Sequence, residues 1–214
     1  MQKISQKLGE HYSETFKQFG STSEGVDWGS DEAKLHLRYR KMLAVMDNHP
    51  STPVRARPSL LDVGCGFGGL LQYANNMGLD FDYTGIDVAQ NMIDWAASAH
   101  PEGRFFCQDF LDFEPEKNFD YVVCNGILTQ KLDTPGREMD DYAQKLIRGM
   151  FEVCRSGVAF NAMTTRVNFF SDNLYYRDPL GLAAWCIAEL TPHFRIDHAY
   201  PLYEYTIYLL KEPR

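Results

Sequence analysis

Apolar positions are distributed differently in the two parts of this 214-residue chain. Before residue 58 they are sparse and recur at helical spacing. From residue 59 onward, short apolar runs alternate with longer amphipathic stretches, which is typical of strands and helices that build a mostly parallel sheet. The pattern therefore predicts an N-terminal helical extension over 1–57, able to act as a lid, and an α/β domain over 58–214.

The extension is predicted to hold two helices. Aromatic residues four and three positions apart mark one face of the first, and Gly20 would end it. A second helix is predicted from Glu32 to about Asp47, followed by a proline-containing linker over 48–58. The aromatic residues are Tyr12, Phe16 and Phe19.

The α/β domain is predicted to contain seven strands. Only residues 200–202 separate the last two, too few for the crossover that a parallel pair requires, so we expect an antiparallel hairpin at the end of the sheet. The predicted strands are 59–63, 82–86, 104–108, 121–124, 157–162, 194–199 and 203–210. The predicted helices are 68–77, 89–99, 137–154 and 178–190.

Composition narrows the class of partner. The formal net charge of -8 argues against nucleic acid as a partner, because proteins that bind nucleic acid need a basic face to contact its phosphates. No apolar run reaches the length of a membrane span. The five cysteines form no C-x-x-C pair, which favours reduced thiols in a cytoplasmic protein.

The candidate chemistry lies where the predicted strands end. Asp62 closes the first strand, just before a turn containing Gly64 and Gly66, while Asp87 and Asp109 close the next two strands. Asp87 follows Gly66 by 21 positions, the separation at which a carboxylate accepts hydrogen bonds from ribose hydroxyls. The glycine spacing also satisfies the dinucleotide fingerprint, so the turn alone leaves an NAD-dependent oxidoreductase open.

Four segments in order resemble the class I S-adenosylmethionine-dependent methyltransferases. The resemblance spans about 58–163 and implies a Rossmann-like methyltransferase sheet, S-adenosylmethionine as the cofactor and a small-molecule acceptor. The segments are 61–68, 83–88 with Met92, 108–110 and 119–124.

The same resemblance implies roles for individual residues. Asp62 and the turn of Gly64, Cys65 and Gly66 would hold the methionine end of the cofactor, Asp87 its ribose, and Asp109 with Phe110 its adenine. The other residues expected at the cofactor are Tyr12, Trp28, Arg38, Val88, Met92, Gln108 and Asn125. Arg38 would pair with the cofactor's carboxylate, although a solvated helix position is the alternative.

Segments 25–30, 174–179 and 203–206 resemble small bacterial methyltransferases of cell-surface polysaccharide or secondary-metabolite synthesis, which implies O-methylation of a hydroxylated compound such as a sugar. A hydroxyl acceptor needs a base, and no spacing singles one out. The candidates are His11, Tyr175, Tyr176 and Glu204.

No metal is expected, because Asn125 and Asn161 stand where metal-dependent members carry acids. A protein that binds the cofactor without turnover is the remaining alternative.

Overall fold

The computed structural model describes residues 3–47 and 57–211. The helices are α1 (Ile4–Phe19), α2 (Glu32–Leu43), α3 (Gly69–Asn76), α4 (Gln90–Ala99), α5 (Gly136–Val153) and α6 (Pro179–Glu189). The strands are β1 (Ser59–Val63), β2 (Asp82–Asp87), β3 (Arg104–Cys107), β4 (Phe119–Cys124), β5 (Cys154–Thr164), β6 (Tyr176–Arg177), β7 (Phe194–Asp197) and β8 (Glu204–Leu210).

One sheet organises the molecule, with the strand order β3-β2-β1-β4-β5-β8-β7. Strands β1 to β5 pair in parallel, so their carboxyl ends meet at one edge of the sheet. Strand β8 lies between β5 and β7 and is antiparallel to both. The mostly parallel sheet with a C-terminal antiparallel hairpin, predicted from the sequence, is confirmed.

Both faces of the sheet are covered by helices. Successive residues of a strand point to opposite faces, and the strands here are apolar at both. In β1, for example, Leu61 packs in the core formed with α5 and α6, whereas Leu60 packs with α2 and α3 on the other face. The alternation fixes which side chains remain at the strand ends, where a ligand can reach them.

The two N-terminal helices differ in their relation to the core. Helix α2 belongs to it, with Leu35 and Met42 buried beside β1 and β4. Helix α1 lies across the edge of the sheet and joins a separate aromatic cluster, in which Phe16 stacks on Phe67 at 6.2 Å and meets Trp95 edge-on. Helix α1 therefore packs apart from the main core, whereas α2 is part of it.

Several element boundaries differ from prediction. The two-residue strand β6, which pairs with the end of β5, carries no signal of its own in the sequence. Helix α2 ends at Leu43, earlier than expected, and β5 is longer at both ends. The predicted linker over 48–58 lies outside the described residues except for its last two positions. Within 3–47 and 57–211, no helix is long and apolar enough to cross a membrane.

Candidate active site

A cavity lies at the carboxyl edge of the sheet, beneath α1. It spans about 900 Å³ of atom-free space, part of which is open to solvent. The volume that can hold the centre of a water molecule is only about 80 Å³. The cavity is therefore a narrow slot between α1 and the strand ends. Its walls come from α1, from the loop around Trp28, from the ends of β1, β2 and β4, and from α5.

The glycine turn after β1 forms the floor of this slot. Gly64 and Gly66 have φ angles of 77° and 53°, a region that residues with a Cβ rarely adopt. The Gly64 and Cys65 amides donate to the Ile86 carbonyl, which ties the turn to β2. A Cβ on Gly64 would lie 2.7 Å from the Cδ1 atom of Ile127, so the glycine also makes room for the segment after β4. Bare backbone is thus exposed where a ligand can lie against it.

Asp62 is the most buried acid of the site, with 2% of its surface exposed. Its Oδ2 atom accepts a hydrogen bond from the Tyr83 hydroxyl at 2.7 Å. Burial raises the pKa of Asp62 to about 7, against the lowering effect of the Tyr83 hydroxyl, and the neighbouring Asp87 carboxylate adds to the rise. A cationic ligand beside Asp62 would offset this cost of ionisation.

Asp87 and Asp109 line the next part of the slot. The Asp87 carboxylate accepts hydrogen bonds from the backbone N–H groups of Gly66 at 2.8 Å and Ala89 at 2.9 Å. Burial raises the pKa of Asp87, and those N–H groups oppose the rise. Asp109 accepts from the Ser5 hydroxyl of α1 at 2.6 Å, so the first turn of α1 is bonded to the rim. Both carboxylates keep acceptor capacity for a ligand.

Helix α1 covers the cavity closely because Gly9 has no side chain. A Cβ at Gly9 would lie 2.6 Å from the Cγ2 atom of Val88 in the opposite wall. Tyr12, one turn further, lines the slot, and burial raises the pKa of its phenol above the usual value, so the hydroxyl stays protonated. Trp28 closes the other side, with its ring against Gly126.

Thirteen of the fourteen residues expected at the cofactor surround this one cavity. They are Tyr12, Trp28, Asp62, Gly64, Cys65, Gly66, Asp87, Val88, Met92, Gln108, Asp109, Phe110 and Asn125. The exception is Arg38, which the fold buries behind Trp28, with its guanidinium carbon 3.7 Å from the indole ring centre. Its Nε and Nη2 atoms donate to Glu204, and its buried Nη1 atom has no partner among the described residues. Arg38 is thus neither a solvated helix residue nor a lining residue, because a counter-charge from β8 holds it inside.

None of the four candidate bases lines the slot. Glu204 is bound to Arg38, the Tyr175 hydroxyl donates to Asp140 at 2.5 Å, and the Tyr176 hydroxyl accepts from the Ser171 amide. These three side chains are engaged elsewhere, which differs from the expectation that they face the acceptor. His11 lies in an adjoining open groove, between α1 and Leu132.

Several lining residues were not expected from the sequence. Ser5, Leu8 and Gly9 share the helix face of Tyr12, so the spacing of α1 could have indicated them. Tyr142 and Leu146 are one turn apart on α5 and reach the slot only because α5 crosses behind β4, which no local pattern reveals.

The residues present fit S-adenosylmethionine. The turn offers backbone without Cβ atoms, the acids suit a ribose and a cationic end, and Val88, Met92 and Phe110 provide apolar walls for a flat base. In addition, the Asn125 Oδ1 atom is buried in the wall without a hydrogen-bond partner among the described residues. An orphan acceptor there fits a donor on a bound ligand.

Comparison with known proteins identifies the class. A family model for the methyltransferase domain matches residues 60–157. A Mycobacterium tuberculosis protein named as a methyltransferase is 35% identical over 159 residues, which cover 72% of this chain and 93% of that protein. Magnesium protoporphyrin IX methyltransferase from Synechocystis, solved with bound S-adenosylmethionine, shares 13% identity over 99% of each chain at a TM-score of 0.66. The DhpI complex with S-adenosylhomocysteine gives 18% identity, a TM-score of 0.64 and coverage of 99% and 98%.

The protein belongs to the class I S-adenosylmethionine-dependent methyltransferases. It is a methyltransferase whose cofactor is S-adenosylmethionine. This result decides against the NAD-dependent oxidoreductase.

Proposed function

We propose that this methyltransferase methylates an oxygen atom of a hydroxylated small molecule, such as a sugar or a secondary metabolite, with His11 as the general base. The observation that carries the proposal is the pairing of His11 with Asp27, whose Nε2 and Oδ2 atoms are 2.9 Å apart. His11 adjoins Tyr12 in the sequence, and Tyr12 lines the cofactor slot. A hydroxyl acceptor must lose a proton on methylation, and a histidine oriented by a carboxylate is suited to remove it.

The pair is held in a defined orientation. A carboxylate can only accept, so the Nε2–H group donates to Asp27 and leaves the Nδ1 lone pair for a proton. Gln130 donates to the same Asp27 oxygen at 2.7 Å, and Asn173 donates to Gln130. Asp27 itself has a φ of 59°, a left-handed conformation that is uncommon outside glycine. The surroundings therefore hold Asp27 where it can orient the imidazole.

The groove beside His11 suits a polar acceptor. It lies between α1 and the segment after β4, and its walls include Lys7, Glu10, Glu14, Leu132 and Asp133. Charged side chains of both signs can donate to and accept from hydroxyl groups. Helix α1 contributes walls to both this groove and the cofactor slot.

The proposed contacts to the cofactor are made by the residues that line the slot. In the proposal, Asp62 and the glycine turn hold the methionine end, Asp87 the ribose, and Asp109 with Phe110 the adenine. Because the bound cofactor presents a methyl group on a positively charged sulfur, the chain has only to hold the acceptor in line and remove its proton. Asn125 would lie beside the sulfur, and Tyr12 and Trp28 would exclude water.

The test uses His11→Gln with His36→Gln as the matched control, since His36 is an exposed residue of α2 beside Tyr73. Wild type and variants are assayed with methyl-labelled cofactor against sugars, nucleotide sugars, phenols, amines and thiols. We expect His11→Gln to lower kcat by about 100-fold or more at an unchanged cofactor dissociation constant. His36→Gln should match wild type. Full turnover by His11→Gln would exclude His11 as the base, and labelling of nitrogen or sulfur acceptors alone would refute O-methylation.

A further inference from the structure

A chain of buried polar groups runs from α2 to the wall of the cofactor slot. Arg38 donates to Glu204 through Nε at 3.0 and 3.1 Å and through Nη2 at 2.5 Å. The second Glu204 oxygen accepts from the Asn161 side-chain amide at 2.8 Å. The Asn161 Oδ1 atom in turn accepts the Gly126 backbone N–H at 2.8 Å. Four separate elements, α2, β8, β5 and the end of β4, are thereby joined.

These groups are out of contact with solvent. Arg38, Glu204 and Asn161 expose 7%, 2% and 1% of their surfaces. An ion pair removed from water is often no more stabilising than well-packed apolar residues of the same volume. What such a pair supplies better than an apolar contact is direction, because each hydrogen bond fixes an orientation. These hydrogen bonds therefore orient the groups at the two ends of the chain.

Both ends of the chain lead to the slot. At one end Gly126, with a φ of 105°, lines the slot next to Asn125, whose buried Oδ1 atom lacks a partner among the described residues. At the other end the Arg38 guanidinium stacks on Trp28, which lines the slot and contacts Gly126. The chain therefore closes a loop around the part of the wall that Trp28, Asn125 and Gly126 form.

We propose that Glu204, Asn161 and Arg38 are positioning residues that set this wall for the cofactor, so that Glu204 is not the acceptor's base. Glu204 aligns the Asn161 amide, which holds the Gly126 N–H and with it the Asn125 side chain. Arg38 holds the Trp28 ring against the same turn. The inference rests on the cavity being the cofactor site and is independent of the acceptor and of His11.

The first test replaces the ion pair by apolar residues in the double variant Arg38→Met with Glu204→Met. The control is Lys41→Met with Asp197→Met, which removes another ion pair of α2, 2.6 Å long, whose two residues do not line the slot. For each protein we would measure the unfolding midpoint, hydrogen exchange of the Gly126 amide, and the dissociation constant for S-adenosylhomocysteine. The amides of Val122 and Val123 in β4 are internal references.

We expect the slot variant to unfold cooperatively near the wild-type temperature but to exchange Gly126 at least tenfold faster and to bind S-adenosylhomocysteine about tenfold more weakly. The control should change neither the Gly126 exchange nor the binding. A stable slot variant with wild-type exchange and binding would overturn the proposal.

A second variant, Asn161→Leu, keeps the ion pair and covers the case in which the double variant does not fold. It should again release the Gly126 amide selectively and weaken binding by a similar factor. Loss of protection spread equally over Val122, Val123 and Gly126 would assign these residues to general stability and refute a positioning role.

Discussion

At the scale of single residues, Asp62 shows how the site and the stability of the fold are linked. Its folded pKa of about 7 lies above the ordinary value of 3.8, so between these values the folded protein binds a proton that the unfolded chain does not. The free energy of unfolding should therefore fall as the pH rises from about 4 to about 7, by up to about 4 kcal/mol, and change little from this group above that range.

Asp62→Asn tests this linkage, because the amide can still accept from Tyr83 and does not ionise. We expect the variant to gain stability relative to wild type as the pH rises through the window, measured by urea unfolding at pH 5, 6, 7 and 8. Exposed Asp172→Asn serves as the control. A difference between Asp62→Asn and wild type that stays constant with pH would mean that Asp62 ionises normally.

At the scale of elements, α1 is placed by one glycine. Gly9→Ala should lift the helix from the slot, because the new Cβ would lie 2.6 Å from Val88, even though alanine favours a helix by about 1 kcal/mol. We expect weaker cofactor binding at equal or higher helix content, measured by titration calorimetry and circular dichroism. Shortening the opposite wall with Val88→Ala should restore part of the affinity in the double variant. Additive losses in the two changes would instead show that Gly9 and Val88 do not limit each other.

Elements also mark the limit of what the sequence could predict. Asp62, Asp87 and Asp109 could be placed together because parallel strands end at a common edge, and strand ends are readable from apolar runs. The pairing of Arg38 with Glu204 could not be predicted from the sequence, since 166 positions separate the two residues and no local pattern connects them. Strand β6 is only two residues long and pairs with the part of β5 that extends beyond β4. Its formation therefore depends on the tertiary structure and not on a local sequence pattern.

At the scale of the whole molecule, the core includes α2, although the sequence places this helix in the predicted N-terminal extension. Leu35 and Met42 of α2 are buried against the sheet, whereas α1 packs mainly on its edge. A chain lacking residues 1–22 should therefore still unfold cooperatively, at a lower temperature, while a chain lacking 1–47 should not fold. Thermal unfolding followed by circular dichroism distinguishes them. Cooperative unfolding of the shorter chain would place α2 outside the core.

The position of β8 between β5 and β7 has a consequence for synthesis on the ribosome. Strand β8 inserts between two strands that precede it in the chain, and it brings the counter-charge that Arg38 requires. While the chain is being translated, β5 presents an unpaired edge and α2 carries a cation that cannot be buried alone. The slot wall that Arg38 supports is then completed only once β8 has been made, and a product cut short by a premature stop codon before residue 204 would leave the β5 edge unpaired and Arg38 without its counter-charge.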